Sequence, residues 1–142
     1  MIRALLAAML LAGCGGSATI TPAAPSEPDG RTITGRFTLN SATVDRNADL
    51  TRCEGTGGYE DIEQGASVTL RDGDGNVAGT SRLEVAGADA FGNFPGCIYT
   101  FTFDDVADAD FYAVEIGDRG EIVYSRADLE AADWRVVTEL GE

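Results

Sequence analysis

Carboxylates are the side chains with which this sequence could perform acid–base or metal chemistry. The chain has 142 residues, with 24 Asp and Glu side chains, ten Arg side chains, and neither His nor Lys. Without His there is no Ser-His-Asp or Cys-His catalysis and no imidazole metal ligand. Without Lys there is no Schiff-base chemistry and no phosphate-loop lysine. The candidates for catalysis or metal binding are therefore acidic residues.

Four aspartates lie within seven residues, between two predicted strands, and form the first candidate cation site. They are Asp104, Asp105, Asp108 and Asp110. Carboxylates this close together raise one another's pKa values or attract a hard cation such as Ca²⁺. The alternative is a loop of separately solvated acids, which is the usual state of charged loop residues.

A second group of oxygen ligands occurs in the segment 72–76 (DGDGN), which resembles the start of an EF-hand calcium loop. Its ligands at the first, third and fifth positions are Asp72, Asp74 and Asn76. The resemblance ends there, because Val77 replaces the expected Gly and Leu83 replaces the expected Glu. Asp and Gly also favour tight turns. We predict a hairpin turn, with a calcium site as the alternative, and no other cofactor.

Two aromatic residues in the Gly-rich segment 86–96 are candidate binding residues. Phe91 and Phe94 precede Cys97 in a predicted loop, and exposed aromatic rings in loops are typical of ligand or partner contacts. The alternative is that both rings fold over the edge of the core.

The first 14 residues carry an export signal. A short cationic start (1–3) precedes nine apolar residues (4–12), a pattern typical of a secretory signal peptide. The apolar segment ends in Leu11-Ala12-Gly13-Cys14, which resembles the lipobox of bacterial lipoproteins. That resemblance implies a signal peptide at 1–13, and palmitate-type acylation of Cys14. It also implies an extracytoplasmic location, with the lipid bilayer holding the acyl chains.

A tether follows the acylated cysteine. Residues 14–30 are small and polar, and include Pro22, Pro25 and Pro28. A segment of this composition does not fold. At about 3.1 Å per residue, it would hold a domain up to roughly 50 Å from the bilayer. Loss of the signal peptide leaves nine arginines against 24 carboxylates. Anionic headgroups therefore repel the domain.

The other two cysteines, Cys53 and Cys97, are predicted to form a disulfide. Two thiols in a small exported domain most simply pair. Closing the loop between them would contribute about 4 kcal/mol through chain entropy. A metal or redox site is the alternative, although the sequence has no C-x-x-C spacing to support it.

Alternating apolar and polar residues recur along residues 31–142 and predict strands. The first strand places one set of residues on a single face: Ile33, Gly35, Phe37 and Leu39. Similar alternation lies at 68–70, 98–103, 111–116 and 121–124, and a last strand is predicted at 134–140.

A short helix is predicted before that last strand, because Ser125 and Asp128 have the spacing of a helix N-cap. About seven short strands at regular intervals favour an all-β domain over residues 31–142. We predict an antiparallel β-sandwich, or a small open barrel, with one short helix near the C-terminus.

The folded part is similar to small uncharacterised lipoproteins and secreted proteins of high-GC bacteria. The resemblance spans residues 53–140 and rests on the segment 53–62 (CEGTGGYEDI), Gly65, Val68, Asp72, Gly75, Cys97, Phe111-Tyr112, Arg119-Gly120 and Tyr124-Ser125. It implies one compact extracellular domain with a disulfide, and it carries no catalytic residue.

The charge of the chain excludes one class of partner. A formal net charge of -14 opposes binding to a phosphate backbone, so no nucleic acid is expected. We predict a membrane-anchored extracytoplasmic lipoprotein without enzymatic activity, which binds a protein, glycan or small ligand, or supports an envelope complex. The alternative is a small hydrolase that uses carboxylates, with or without Ca²⁺, and needs two acids facing each other in a pocket.

Overall fold

The structure, a computed structural model, describes residues 30–40 and 44–141. The predicted signal peptide (1–13), Cys14 and the tether up to residue 29 lie outside the described residues. Neither helix in the described part is long and apolar enough to cross a membrane.

Short strands dominate the described residues. The strands are β1 (Arg31–Leu39), β2 (Val44–Arg46), β3 (Cys53–Gly55), β4 (Ser67–Asp72), β5 (Val77–Arg82), β6 (Glu84–Val85), β7 (Cys97–Val106), β8 (Phe111–Ile116), β9 (Glu121–Ser125) and β10 (Arg135–Leu140). The helices are α1 (Ala88–Phe91) and α2 (Arg126–Ala131).

Two four-stranded sheets form the sandwich. One has the strand order β10-β1-β7-β6 and the other β5-β4-β8-β9, while β2 and β3 form a separate two-stranded ribbon. Buried residues from both large sheets form one core, and the predicted all-β sandwich is confirmed. The strands outnumber the predicted seven because β2, β3 and β6 have only two or three residues each, too few to show an alternation.

One strand pairing differs from the antiparallel prediction. β10 lies parallel to β1, with a continuous register from Thr34 opposite Arg135 to Leu39 opposite Leu140. The reason is the path of the chain after β9. Helix α2 follows the edge strand of one sheet, and β10 then joins the other sheet beside β1.

The predicted alternation in β1 matches its burial. Ile33, Phe37 and Leu39 are buried in the core, and Gly35 is buried with them. A Cβ atom at Gly35 would lie only 1.9 Å from the ring of Phe101 on the neighbouring strand β7. The absence of a side chain at Gly35 therefore makes room for that ring.

Replacing Gly35 by alanine is expected to lower the free energy of unfolding by about 1–3 kcal/mol, because the methyl group overpacks the core. Urea denaturation of the two proteins measures the difference. Gly73→Ala is the control, since a Cβ there meets its nearest neighbour at an ordinary 3.6 Å. Adding Phe101→Leu to Gly35→Ala should restore part of the stability. An unchanged midpoint for Gly35→Ala would contradict the packing argument.

The predicted helix N-cap is confirmed at the start of α2. The Ser125 hydroxyl accepts a hydrogen bond of 3.1 Å from the Asp128 N–H, and the Asp128 carboxylate accepts one of 3.3 Å from the Ser125 N–H. This capping box satisfies two backbone donors at once. It fixes the point at which the chain leaves β9 and turns towards the other sheet.

Replacing Ser125 by alanine is expected to destabilise the protein by about 1 kcal/mol, the usual cost of losing an N-cap. Thermal denaturation followed by circular dichroism would show a lower midpoint. Ser67→Ala removes an exposed hydroxyl at the start of β4 and should leave the midpoint unchanged. Equal midpoints for Ser125→Ala and the parent would argue against a stabilising cap.

Candidate functional site

The four aspartates predicted between two strands are divided between a strand and a loop, because β7 extends to Val106: Asp104 and Asp105 belong to β7, and Asp108 and Asp110 lie in the loop before β8. Asp108 accepts a hydrogen bond of 2.7 Å from Arg31 Nε and one of 3.3 Å from Arg126. The bond from Arg31 is the main reason why the pKa of the Asp108 carboxyl lies below its ordinary value. Asp104 accepts a hydrogen bond of 3.1 Å from the Thr32 hydroxyl. Both carboxylates thus have protein donors.

The segment 72–76 forms the predicted hairpin turn between β4 and β5. One carboxylate oxygen of Asp72 accepts the N–H groups of Asp74 and Asn76, at 3.0 Å and 2.9 Å. Hydrogen bonds from Asn76 lower the pKa of the Asp72 carboxyl. The Asp72 carboxylate, one of the three calcium ligands that the sequence offers, therefore closes the turn in the manner of an Asx turn.

The fold brings these two acidic segments together, which the sequence did not predict. We name the space between them the proximal cleft: it has a volume of ≈ 420 Å³ and is lined by Asp72, Asp74, Asp108, Asp110, Phe111 and Arg126 among others. Across residues 30–40 and 44–141, no three or more Cys, Asp or Glu side chains are grouped so that they could hold a metal ion. The cleft also contains the positive charge of Arg126.

Neither of the two candidate aromatic residues has a fully exposed ring. Phe91 is 3% exposed and belongs to the core, and Phe94 is half-buried against it. Gly96 permits this packing, since a Cβ there would lie 2.6 Å from the Phe94 ring. Of the two alternatives, the structure shows the rings folded over the edge of the core, which offers them apolar surface.

The predicted disulfide is present between Cys53 and Cys97, with 5.7 Å between their Cα atoms. Both cysteines are buried. The buried Tyr99 hydroxyl donates a hydrogen bond of 2.8 Å to the Cys53 carbonyl, and burial raises the pKa of that phenol well above its ordinary value. The disulfide thus joins the β2–β3 ribbon to β7, and it excludes the alternative of two free metal-binding thiols.

An apolar slit opens between β9 and β10, the outermost strands of the two sheets. This distal slit has a volume of ≈ 130 Å³. Its apolar lining comes from Phe37, Ile62, Val114, Ile116, Ile122 and Leu140. Tyr124 interacts with the Thr138 side chain from the opposite sheet. The sandwich therefore has an apolar opening along this side, where Ile122 and Leu140 are partly exposed above buried core residues.

The distal slit and the proximal cleft lie at opposite ends of the sandwich. The proximal end contains Arg31, where β1 begins, and Asp108, to which Arg31 binds. The slit contains Phe37 and residues paired with the last part of β1, such as Leu140 opposite Leu39. At about 3.3 Å per residue, the length of β1 separates the two ends by about 26 Å.

Arg119 lies at the rim of the slit and is held there by several contacts. It donates a 2.9 Å hydrogen bond to Asp61, forms a second bond with the same carboxylate, and lies 4.7 Å from the ring centre of Tyr59. It also donates a 2.6 Å hydrogen bond to the Gly58 carbonyl. The bond from Arg119 lowers the pKa of the Asp61 carboxyl, and the same pair raises the pKa of Arg119. These contacts fix the 58–61 loop against the β8–β9 turn.

Asp61→Asn is expected to reduce the pH dependence of stability. Because the pKa of Asp61 is lowered on folding, its ion pair stabilises the protein above the ordinary pKa of 3.8 and is lost as the pH falls through the folded value. The pair is partly exposed, so its effect at neutral pH is at most about 1 kcal/mol. As the pH falls from about 5 to about 3, the denaturation midpoint of the parent should approach that of Asp61→Asn.

Arg119→Gln is the matched variant for that measurement, since it removes the donor and keeps the carboxyl. It should show the same weakened dependence on pH. A parent and an Asp61→Asn protein whose midpoints fall in parallel would contradict the assignment of this pair.

None of the acids with a shifted pKa has the raised value that the general acid of the hydrolase alternative requires. Asp49, Asp61, Asp72 and Asp108 all have lowered carboxyl pKa values, because each accepts hydrogen bonds from neighbouring side chains or backbone. A general acid at neutral pH needs a raised pKa. These four residues are therefore charged acceptors rather than proton donors.

Comparison with protein-family models, with curated proteins and with solved structures gives no match to this chain.

Proposed function

We propose that this protein is a membrane-anchored extracytoplasmic lipoprotein, and that its β-sandwich is a non-catalytic module which binds an envelope partner through the distal slit. The position of the slit carries the binding part of the proposal. It is an apolar opening at the end of the sandwich farthest from Arg31, where the tether joins the domain. A domain held by its N-terminus presents that end away from the bilayer.

The anchoring part is supported by the sequence Leu11-Ala12-Gly13-Cys14 after an apolar segment. The disulfide between Cys53 and Cys97 agrees with an oxidising compartment. It also leaves Cys14 as the remaining cysteine of the chain, free for acylation.

The charge distribution supports the same orientation. The proximal cleft carries carboxylates of Asp72, Asp74, Asp108 and Asp110, and Arg31, the first residue of β1, binds one of them, Asp108. Anionic headgroups repel such a surface. The domain would therefore stand off the bilayer, with the slit accessible to proteins of the envelope.

Photocrosslinking in intact envelopes tests the binding part. A benzophenone amino acid at position 122 places the reactive group at the slit, and the same amino acid at position 77 places it on the exposed β5 edge strand. We expect a discrete adduct from position 122 and none from position 77. Identical adducts from both positions, or none from either, would contradict a binding role for the slit.

A further inference from the structure

We infer that the distal slit binds an extended peptide segment of a partner protein by strand addition, with one aliphatic side chain of the peptide in the slit and basic side chains beside it. The inference rests on the proposed function and names the partner chemistry of the same site. It follows from the two strands that border the slit, the size of the cavity and the charges at its rim.

Both strands that border the slit have a free edge. Within the described residues, β9 pairs with β8 alone and β10 pairs with β1 alone. Their outer N–H and C=O groups therefore have no strand partner there, and such an edge is a template for another strand. In strand addition these backbone groups give affinity, and a pocket for an alternate side chain gives specificity.

The cavity has the size of one aliphatic side chain. Its volume is ≈ 130 Å³, and a cavity of about 150 Å³ holds one benzene molecule. Val114 and Ile116 from β8 and Phe37 from β1 are core residues that line it. A leucine side chain placed there would contact both sheets and close the open side of the core.

The charges at the rim of the slit favour a basic peptide. Glu121 and Glu139 lie at the slit, and the charge of Arg119 is already engaged by Asp61. Glu121 binds Arg71 at 3.0 Å, whereas Glu139 has no ion pair within the described part of the chain. Residues two positions away from an inserted leucine lie on the same face of a strand. A lysine at one of those positions would meet Glu139, and the net charge of -14 attracts a basic peptide further.

The probe is the peptide acetyl-Lys-Thr-Leu-Thr-Lys-amide, titrated into the full-length protein in detergent and followed by calorimetry. We expect binding at about millimolar peptide or below. Replacing the central Leu by Asp in the peptide should weaken binding about tenfold or more, since the slit then receives a charge. Replacing both Lys by Glu should abolish it at low salt.

Two protein variants localise the binding. Ile122→Asp places a carboxylate in the slit, and Val137→Asp places one on β10, at a residue that is 71% exposed and absent from the slit lining. Ile122→Asp should weaken binding about tenfold or more, and Val137→Asp should change it less than about twofold. Equal losses in the two variants would overturn the location, because charge alone would explain them.

A backbone test separates strand addition from simple insertion of a side chain. In an extended strand the N–H groups of successive residues point to opposite edges. One peptide is therefore N-methylated at the two Thr residues and a second at Leu and the C-terminal Lys, which removes the donors of one edge at a time and keeps every side chain of the probe. We expect one of these two peptides to lose binding, and the unmodified peptide to protect edge amides of residues 121–125 or 135–140 from hydrogen exchange. Equal binding by all three peptides would overturn strand addition.

Other occupants of the slit would also overturn the inference. They are a second copy of the chain, seen as a dimer that Ile122→Asp dissociates, or the tether, seen if the probe binds only after deletion of residues 17–27. The result also separates this inference from the proposed function. An adduct from position 122 without peptide binding would support the proposed binding function and overturn the inference that the partner segment is a basic peptide.

Discussion

Cys14→Ala is expected to move the protein from the membrane fraction to the soluble extracytoplasmic fraction almost completely. Each buried methylene of an acyl chain contributes about 0.8 kcal/mol of membrane binding, so two or more chains give stable anchoring. Among the described residues, no helix is long and apolar enough to cross a membrane, and the charge of the chain is strongly negative. Under the proposed function, the acyl chains on Cys14 are the membrane anchor.

Ultracentrifugation of broken cells, followed by mass spectrometry of each fraction, measures this effect. Ser17→Ala is the matched control, since it changes a small residue three positions away and should stay in the membrane pellet. The parent protein should begin at Cys14 and carry the mass of its acyl chains. A parent protein that retains residues 1–13, with an unmodified Cys14, would refute the anchor.

Local patterns in the sequence predicted the individual elements of the sandwich. The alternation around Ile33 and Phe37 marks a strand whose buried face is the core. The Ser125–Asp128 pair marks the start of α2 because capping depends on residues only three positions apart. The Asp72 turn was predictable for the same reason, since its hydrogen bonds stay within the segment 72–76.

The two surface sites depend on contacts between distant residues, which is why local patterns missed them. The proximal cleft forms because β4 pairs with β8, with Asp72 opposite Tyr112. The distal slit forms because β10 pairs with β1 and leaves β9 without a second neighbour. One signal was visible in the sequence: β9 has successive apolar residues, Ile122 and Val123. One of them lines the slit, and the other is 62% exposed.

Removing the disulfide with Cys53→Ala and Cys97→Ala together is expected to lower the free energy of unfolding by about 4 kcal/mol. The cysteines are 44 positions apart, so the crosslink removes much conformational freedom from the unfolded chain. Loss of two buried sulfur atoms adds a cavity cost. For a domain of this size, the thermal midpoint should fall by roughly 15 °C or more.

Besides this loss of global stability, the β2–β3 ribbon should open locally before the rest of the sandwich. After loss of the disulfide, the ribbon keeps the hydrogen bond from Tyr99 to the Cys53 carbonyl and the 2.9 Å bond from Arg46 to the Phe94 carbonyl. These bonds stabilise by only about 1 kcal/mol each. Hydrogen exchange should therefore show early opening of residues 44–55, while β1 and β7 stay protected.

Thiol reduction provides the control for the disulfide variant. A reducing agent should lower the thermal midpoint of the parent towards that of the double alanine variant, and it should leave the variant's own midpoint unchanged. The slit lining draws no residue from the β2–β3 ribbon or its disulfide, so the basic peptide should still bind the variant below its midpoint. If reduction leaves the parent's midpoint unchanged while free thiols appear, the crosslink does not stabilise this fold.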